Sequence, residues 1–122
     1  VSRPRLLDLF CGASGAAMGY IELAWAAGFF DGEGSVSPHI DKRPGRNPGL
    51  QIDIEQTDER PLIRFQKAVG QGGRRTLCKP RVPTRKPLWR LHYGHAASFD
   101  TLIVLWPYLS EPKREQAMAA FR

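Results

Sequence analysis

Cysteine is scarce: only Cys11 and Cys78 are present, and neither has another Cys or a His at metal-ligand spacing. A disulfide-stapled scaffold and a zinc framework are therefore excluded, and reduced thiols in a cytoplasmic compartment are expected. No signal-peptide pattern occurs, and no apolar run approaches the ~18 residues that insert into a bilayer; the run at 102–105 is far too short. No membrane partner is expected.

Acid is missing from one long stretch. Between Arg60 and Phe99 there is no Asp or Glu, while Arg60, Arg64, Lys67, Arg74, Arg75, Lys79, Arg81, Arg85, Lys86 and Arg90 all fall there. That segment seeks phosphate, and a net charge of +6 agrees with a polyanionic partner. The acids gather elsewhere, at Asp31, Glu33, Asp41 and from Asp53 to Glu59. With 122 residues, 42% of them hydrophobic and 25% charged, one soluble domain is expected.

The stretch 23–34, LAWAAGFFDGEG, organises the chain. It reads as a helix with small residues Ala24, Ala27, Gly28 and Gly32 at spacings where a second backbone can approach, and with Trp25, Phe29 and Phe30 elsewhere on the same turns for core packing. Asp31 and Glu33 lie in the last turn, where the helix dipole already disfavours carboxylates. Two readings follow. The Asp-Gly and Glu-Gly pairs are turn residues that stop the helix, or they are hard oxygen ligands for a cation such as Mg²⁺, with substrate phosphate completing its shell.

The residues AAGFFDGEG at 26–34 resemble the signature motif of the LAGLIDADG homing endonucleases, matching at Ala27, Gly28, Asp31 and Gly34, with Ala26 in place of the usual Leu. A second resemblance precedes it. LLDLFCGASGAAMGY at 6–20 is similar to the first, S-adenosylmethionine-binding motif of DNA cytosine-C5 methyltransferases. No alternation of strands and helices follows that motif, and no Pro-Cys pair supplies a methyltransferase nucleophile. Residues 1–20, with a strand at 6–10, are therefore read as a fused leader of a mobile, intron-type reading frame lodged in a methyltransferase gene, and no cofactor-binding residues are assigned to it.

From 21 to 122 the pattern predicts one α+β domain of order αββαββα. A short strand at 35–40 carries Pro38, which favours an edge. A Pro/Gly/Asn hairpin at 42–49 holds Lys42, Arg43 and Arg46, candidate backbone contacts. The segment 50–57 alternates, with Leu50, Ile52 and Ile54 toward a core and Gln51, Asp53 and Glu55 on the other face. A helix over 60–69 has Asp58 as N-cap, Pro61 in its first turn and Gly70 as its stop. Strands follow at 74–79 and 88–93; in the second, Trp89, Leu91 and Tyr93 share one face and Arg90 and His92 the other. His92 and His95 lack metal partners. A helix from Ser98 or Asp100 ends before Pro107, and a last one opens at Ser110-Glu111-Pro112.

WPYLSEPKREQA at 106–117 also looks like the region after the second hairpin in LAGLIDADG proteins. The motif occurs once, so the resemblance implies a homodimer packed through Ala24, Ala27, Gly28, Asp31 and Gly32, with an antiparallel sheet saddle over the major groove. It implies Mg²⁺ (or Mn²⁺) held by Glu33 and the carbonyl of Gly32, with Lys113 beside the scissile phosphate. Asp58 is assigned the place where many members carry a water-ordering Gln. Gln51, Asp53, Glu55, Arg74, Arg75, Lys79, Arg81, Arg85, Arg90 and His92 join the hairpin cations as candidate DNA contacts. The implied activity is site-specific double-strand cleavage of a long pseudo-palindromic site in a methyltransferase gene, in the cytoplasm of a bacterial or phage-infected cell. A non-cleaving DNA- or RNA-binding protein of the same fold, an intron-splicing helper or regulator, is the alternative.

Overall fold

The computed structural model describes residues 14–39, 42–45, 49–70 and 72–121. The strand expected at 6–10, Cys11 and Arg46 lie outside them. In chain order the elements are α1 (Ser14–Glu33), β1 (Gly34–His39), β2 (Gly49–Gln56), α2 (Arg60–Val69), β3 (Arg74–Cys78), β4 (Leu88–Tyr93), α3 (His95–Leu105), a 3₁₀ turn (Trp106–Tyr108) and α4 (Glu111–Phe121). The strands form one antiparallel sheet in the order β1-β2-β4-β3. This is the expected α+β order, with the helices on one face of the sheet.

Strand parity places the core. Leu50, Ile52 and Ile54 of β2 and Leu91 and Tyr93 of β4 are buried against Phe30, Leu62 and Phe65 from the helices. Gln51, Asp53, Glu55, Arg90 and His92 stand on the opposite, open face, because successive residues of a strand alternate. The sequence alternation at 50–57 therefore set which face each polar residue takes.

The strands fall within one residue of their expected bounds, whereas two helices begin earlier than the sequence predicts. α1 begins at Ser14, so residues 14–20 of the leader are helical and continuous with the motif helix. α3 begins at His95, because its first turn is anchored at both ends: His95 Nδ1 accepts the N–H of Leu50 at 3.0 Å, and Ser98 Oγ donates to the carbonyl of Tyr93 at 3.0 Å. His95 is thus a packing residue, its ring edge-on to Phe99.

From Leu23 to Phe30 α1 carries no charged residue on any face, a pattern that suits a helix covered on both sides. One side is covered within the chain. Ala26, Ala27 and Phe30 are fully buried, Trp25 stacks on Phe29 with centroids 5.2 Å apart, and the guanidinium of Arg64, paired with Glu22 at 3.0 Å, lies 3.9 Å over Trp25. The other side, Ala24, Gly28 and Gly32, is exposed, and a Cβ added at either glycine meets nothing within 4 Å.

α1 passes into β1 with no loop, and Gly34 makes this possible. A Cβ there would lie 2.2 Å from Cδ2 of the fully buried Phe30 ring. Gly34→Ala is expected to destabilise the fold by about 1–3 kcal/mol through overpacking, read as a lower urea midpoint at unchanged slope.

Candidate catalytic and nucleic-acid interface

The end of α1 is where the chain collects its unusual chemistry. Asp31 turns into its own chain, its carboxylate accepting the N–H of Ser110 at 3.1 and 3.2 Å and the hydroxyl of Ser110 at 3.0 Å. Ser110 in turn caps α4, its Oγ accepting the N–H of Lys113 at 3.4 Å. The negative C-terminal end of α1 thereby meets the positive N-terminal end of α4, which relieves the electrostatic conflict evident in the sequence.

Capping α4 delivers Lys113. Its Nζ donates to the carbonyl of Gly34 at 2.7 Å and to Oε1 of Gln116 at 3.0 Å, and it lies 5.4 Å over the Phe30 ring. Burial lowers the pKa of its ammonium, and Asp31 acts in the opposite direction. Glu33, one residue before Gly34, is exposed and among the described residues has no hydrogen-bond or ion-pair partner. An unpaired carboxylate, the last carbonyls of a helix and a lysine thus share one corner of the molecule.

The open sheet face next to this corner carries cross-strand pairs. Arg90 bonds Glu55, and His92 Nδ1 lies 2.8 Å from Asp53 Oδ1. Gln51 donates to Ser37 Oγ at 3.1 Å, and Arg74 sits opposite His92 in the β3–β4 register. Lys42 and Arg43 are exposed in the hairpin, as are Lys79, Arg81 and Arg85 in the connection between β3 and β4.

A scan against protein-family models and a search of curated proteins find no match. Solved structures do match. The homing endonuclease I-CvuI, in complexes with DNA, is 27% identical at a TM-score of 0.63, covering 83% of this chain and 64% of its own. An archaeal intron-encoded homing endonuclease, I-Vdi141I, complexed with DNA, is 19% identical with a TM-score of 0.62 over 80% of this chain and 64% of its own. The group I intron-encoded I-CeuI, also complexed with DNA, is 16% identical at a TM-score of 0.59 over 80% of this chain and 50% of its own. This is the LAGLIDADG homing endonuclease fold. The chain thus spans 64% of the length of I-CvuI and half that of I-CeuI.

Within the LAGLIDADG fold, four residues take positions other than those assigned from sequence. Ala27 is fully buried in its own chain and Asp31 is bonded to Ser110, which leaves Ala24, Gly28 and Gly32 as the open stripe. Arg75 pairs in register with Leu91, so it points to the helix side, where it bonds Glu59 at 3.0 Å and also Gln66. It leaves the candidate DNA surface.

Asp58 also moves out of the site. Its Oδ1 accepts the N–H of Arg60 at 2.9 Å and its carboxylate pairs with the Arg60 side chain, one residue before Glu59, which takes the N-cap position of α2 in place of the expected Asp58. The Arg60 hydrogen bonds hold its carboxyl at about 2, down from 3.8. A depressed folded pKa contributes stability above the unfolded value that is lost as pH falls through the folded one. Asp58→Ala is therefore expected to lower the thermal midpoint at neutral pH, and the deficit shrinks between pH 3.8 and about 2. Thermal melts across that window check it.

Gln56 shares the helix-side face of β2 with Ile52 and Ile54 and pairs with Trp89 of β4. It ends β2, two residues beyond Ile54, and Ile54 faces Gly34 across the β1–β2 ladder. Glu33 and Gln56 therefore leave the same end of that ladder, and the Gln56 amide has no partner among the described residues.

Proposed function

We propose that two copies of this chain form a divalent-metal-dependent endonuclease that cuts both strands of a long pseudo-palindromic duplex. The observation that carries this reading is Glu33: a carboxylate without a partner among the described residues, at the end of a helix whose other face is bare at Gly28 and Gly32, with Lys113 bonded to the carbonyl of the next residue, Gly34. Packing the bare faces of two α1 helices gives an isologous contact, and it brings one Glu33 from each copy to the two-fold axis.

The donor set suits Mg²⁺ or Mn²⁺. Glu33 and the Gly32 carbonyl are hard oxygen ligands, yet no group of three acidic or His/Cys ligands exists among the described residues of one chain. Glu33 of a second copy and phosphate oxygens would complete such a shell, in keeping with the preference of Mg²⁺ for few carboxylates plus substrate phosphate. When bound, the metal supplies charge neutralisation at the phosphate and a more acidic water. The chain's own groups do the rest: Lys113 offers its ammonium to the phosphate charge, Gln56 is placed to orient water, and Glu33 fixes the site on the helix pair.

The open sheet face lies over the major groove, with Lys42, Arg43, Lys79, Arg81 and Arg85 toward phosphates and Gln51, Asp53, Glu55, Arg74, Arg90 and His92 toward base edges. The I-CvuI complexes were obtained in the presence of Mg or Ca, and the Mg complex contains uncleaved DNA. The leader resemblance directs the choice of target to a methyltransferase gene joined at the codons for residues 1–20. A supercoiled plasmid bearing that gene is expected to become linear with Mg²⁺ and to stay supercoiled with EDTA. Binding without conversion supports the non-cleaving alternative instead.

A further inference from the structure

On the open sheet face, Glu55 of β2 and Arg90 of β4 stand directly opposite each other in the register. Arg90 Nε and Nη2 donate to the same carboxylate oxygen, Glu55 Oε1, at 2.9 and 2.5 Å. Glu55 Oε2 and Arg90 Nη1 thus have no partner among the described residues, and both side chains are nearly half exposed, at 43% and 48%. The pair presents a donor edge beside an acceptor edge, held in a fixed order across two strands.

A carboxylate on a DNA-binding face is repelled by phosphates, so it is useful only at a base edge that donates. Major-groove edges differ in the order of their groups. A G·C pair shows two acceptors on guanine and then the cytosine N4 donor; an A·T pair alternates acceptor, donor, acceptor. A guanidinium next to a carboxylate complements the first order and mismatches the second. Reversing the base pair reverses the order, so the side-by-side arrangement also distinguishes G·C from C·G. A lone arginine reads guanine alone, whereas the pair reads both bases.

We infer that the Glu55–Arg90 pair reads one G·C base pair in each half-site, with guanine beneath β4 and cytosine beneath β2. This rests on the reading of the open sheet face as the DNA surface. Asp53 and His92 form the neighbouring rung and serve as an internal reference, because changes at Glu55 and Arg90 leave that rung in place.

The test is binding selection of the full chain, without Mg²⁺, from duplex DNA with both half-sites randomised. The wild-type chain is expected to select one G·C position per half-site. Arg90→Ala loses the preference at that position alone, with a discrimination loss of roughly tenfold to a hundredfold. The decisive variant combines Glu55→Arg with Arg90→Glu, which keeps an ion pair at the same rung and is expected to invert the selected pair to C·G. An unchanged base pair in the swapped variant, or no preference at that position, overturns the inference while leaving DNA binding intact. Failure to enrich any duplex overturns the reading of the sheet face itself, and with it the inference.

Discussion

Glu33→Gln is expected to leave the protein folded and bound to duplex DNA, and to slow strand cleavage by at least about a hundredfold, the size of effect seen when one charge-stabilising group is removed. The expectation follows from its surroundings. Glu33 is exposed and bonds to nothing among the described residues, so its neutral isostere breaks no internal contact. Asp31, only two residues away, behaves in the opposite way. It holds Ser110 and thereby the start of α4, so Asp31→Asn loosens the element that carries Lys113. Parallel gel-shift and cleavage assays separate the two: Glu33→Gln loses cutting at constant affinity and melting temperature, while Asp31→Asn lowers the melting temperature as well.

Gly28→Arg is expected to produce a folded monomer that no longer cuts both strands. Within one chain the substitution costs nothing sterically, since a Cβ at Gly28 meets nothing within 4 Å, and replacing a helical glycine raises helix propensity by up to about 1 kcal/mol. Loss of activity together with undiminished chain stability is a combination that a core defect does not give. In the proposed dimer the damage falls on the approach of the second copy's helix along the exposed Ala24, Gly28 and Gly32. Light scattering reports the mass. A dimer that persists with Arg at position 28 contradicts the assignment of this face.

The sequence resolved the parts of this molecule that depend on strong local periodicity. In β2, Leu50, Ile52 and Ile54 alternate with Gln51, Asp53 and Glu55, and one choice of face settles all six. α2 is bounded by Pro61 and by Gly70, whose φ of 68° is the left-handed stop its position predicts. Arg75 was not legible because every residue from Arg74 to Leu77 is exposed, so β3 has no apolar alternation; only its pairing with Leu91 shows that Arg75 faces the helices. Ala27 was illegible for a related reason. On a stretch of helix with no charged residue on any face, small residues mark close approach without saying whether the sheet or a second chain makes it.

The site divides along the same line. Glu33 and Lys113 are recognisable in sequence because each sits in a distinctive motif, but their nearness is a tertiary fact: Lys113 reaches Gly34 only because Asp31 binds Ser110, 79 positions along the chain. The fate of Asp58 is likewise a matter of its neighbours in space: the N–H and side chain of Arg60 occupy its carboxylate at the start of α2.

The central claim is that two copies of the chain cut both strands of one duplex site at symmetry-related positions. Sequencing the ends produced when the purified protein and Mg²⁺ digest a plasmid library of randomised and methyltransferase-gene inserts tests it directly. Double-strand ends from one family of pseudo-palindromic sites are expected, with the two cuts related by the two-fold axis and absent with Glu33→Gln. Single-strand nicks without a symmetric partner, or ends that Glu33→Gln also produces, contradict it.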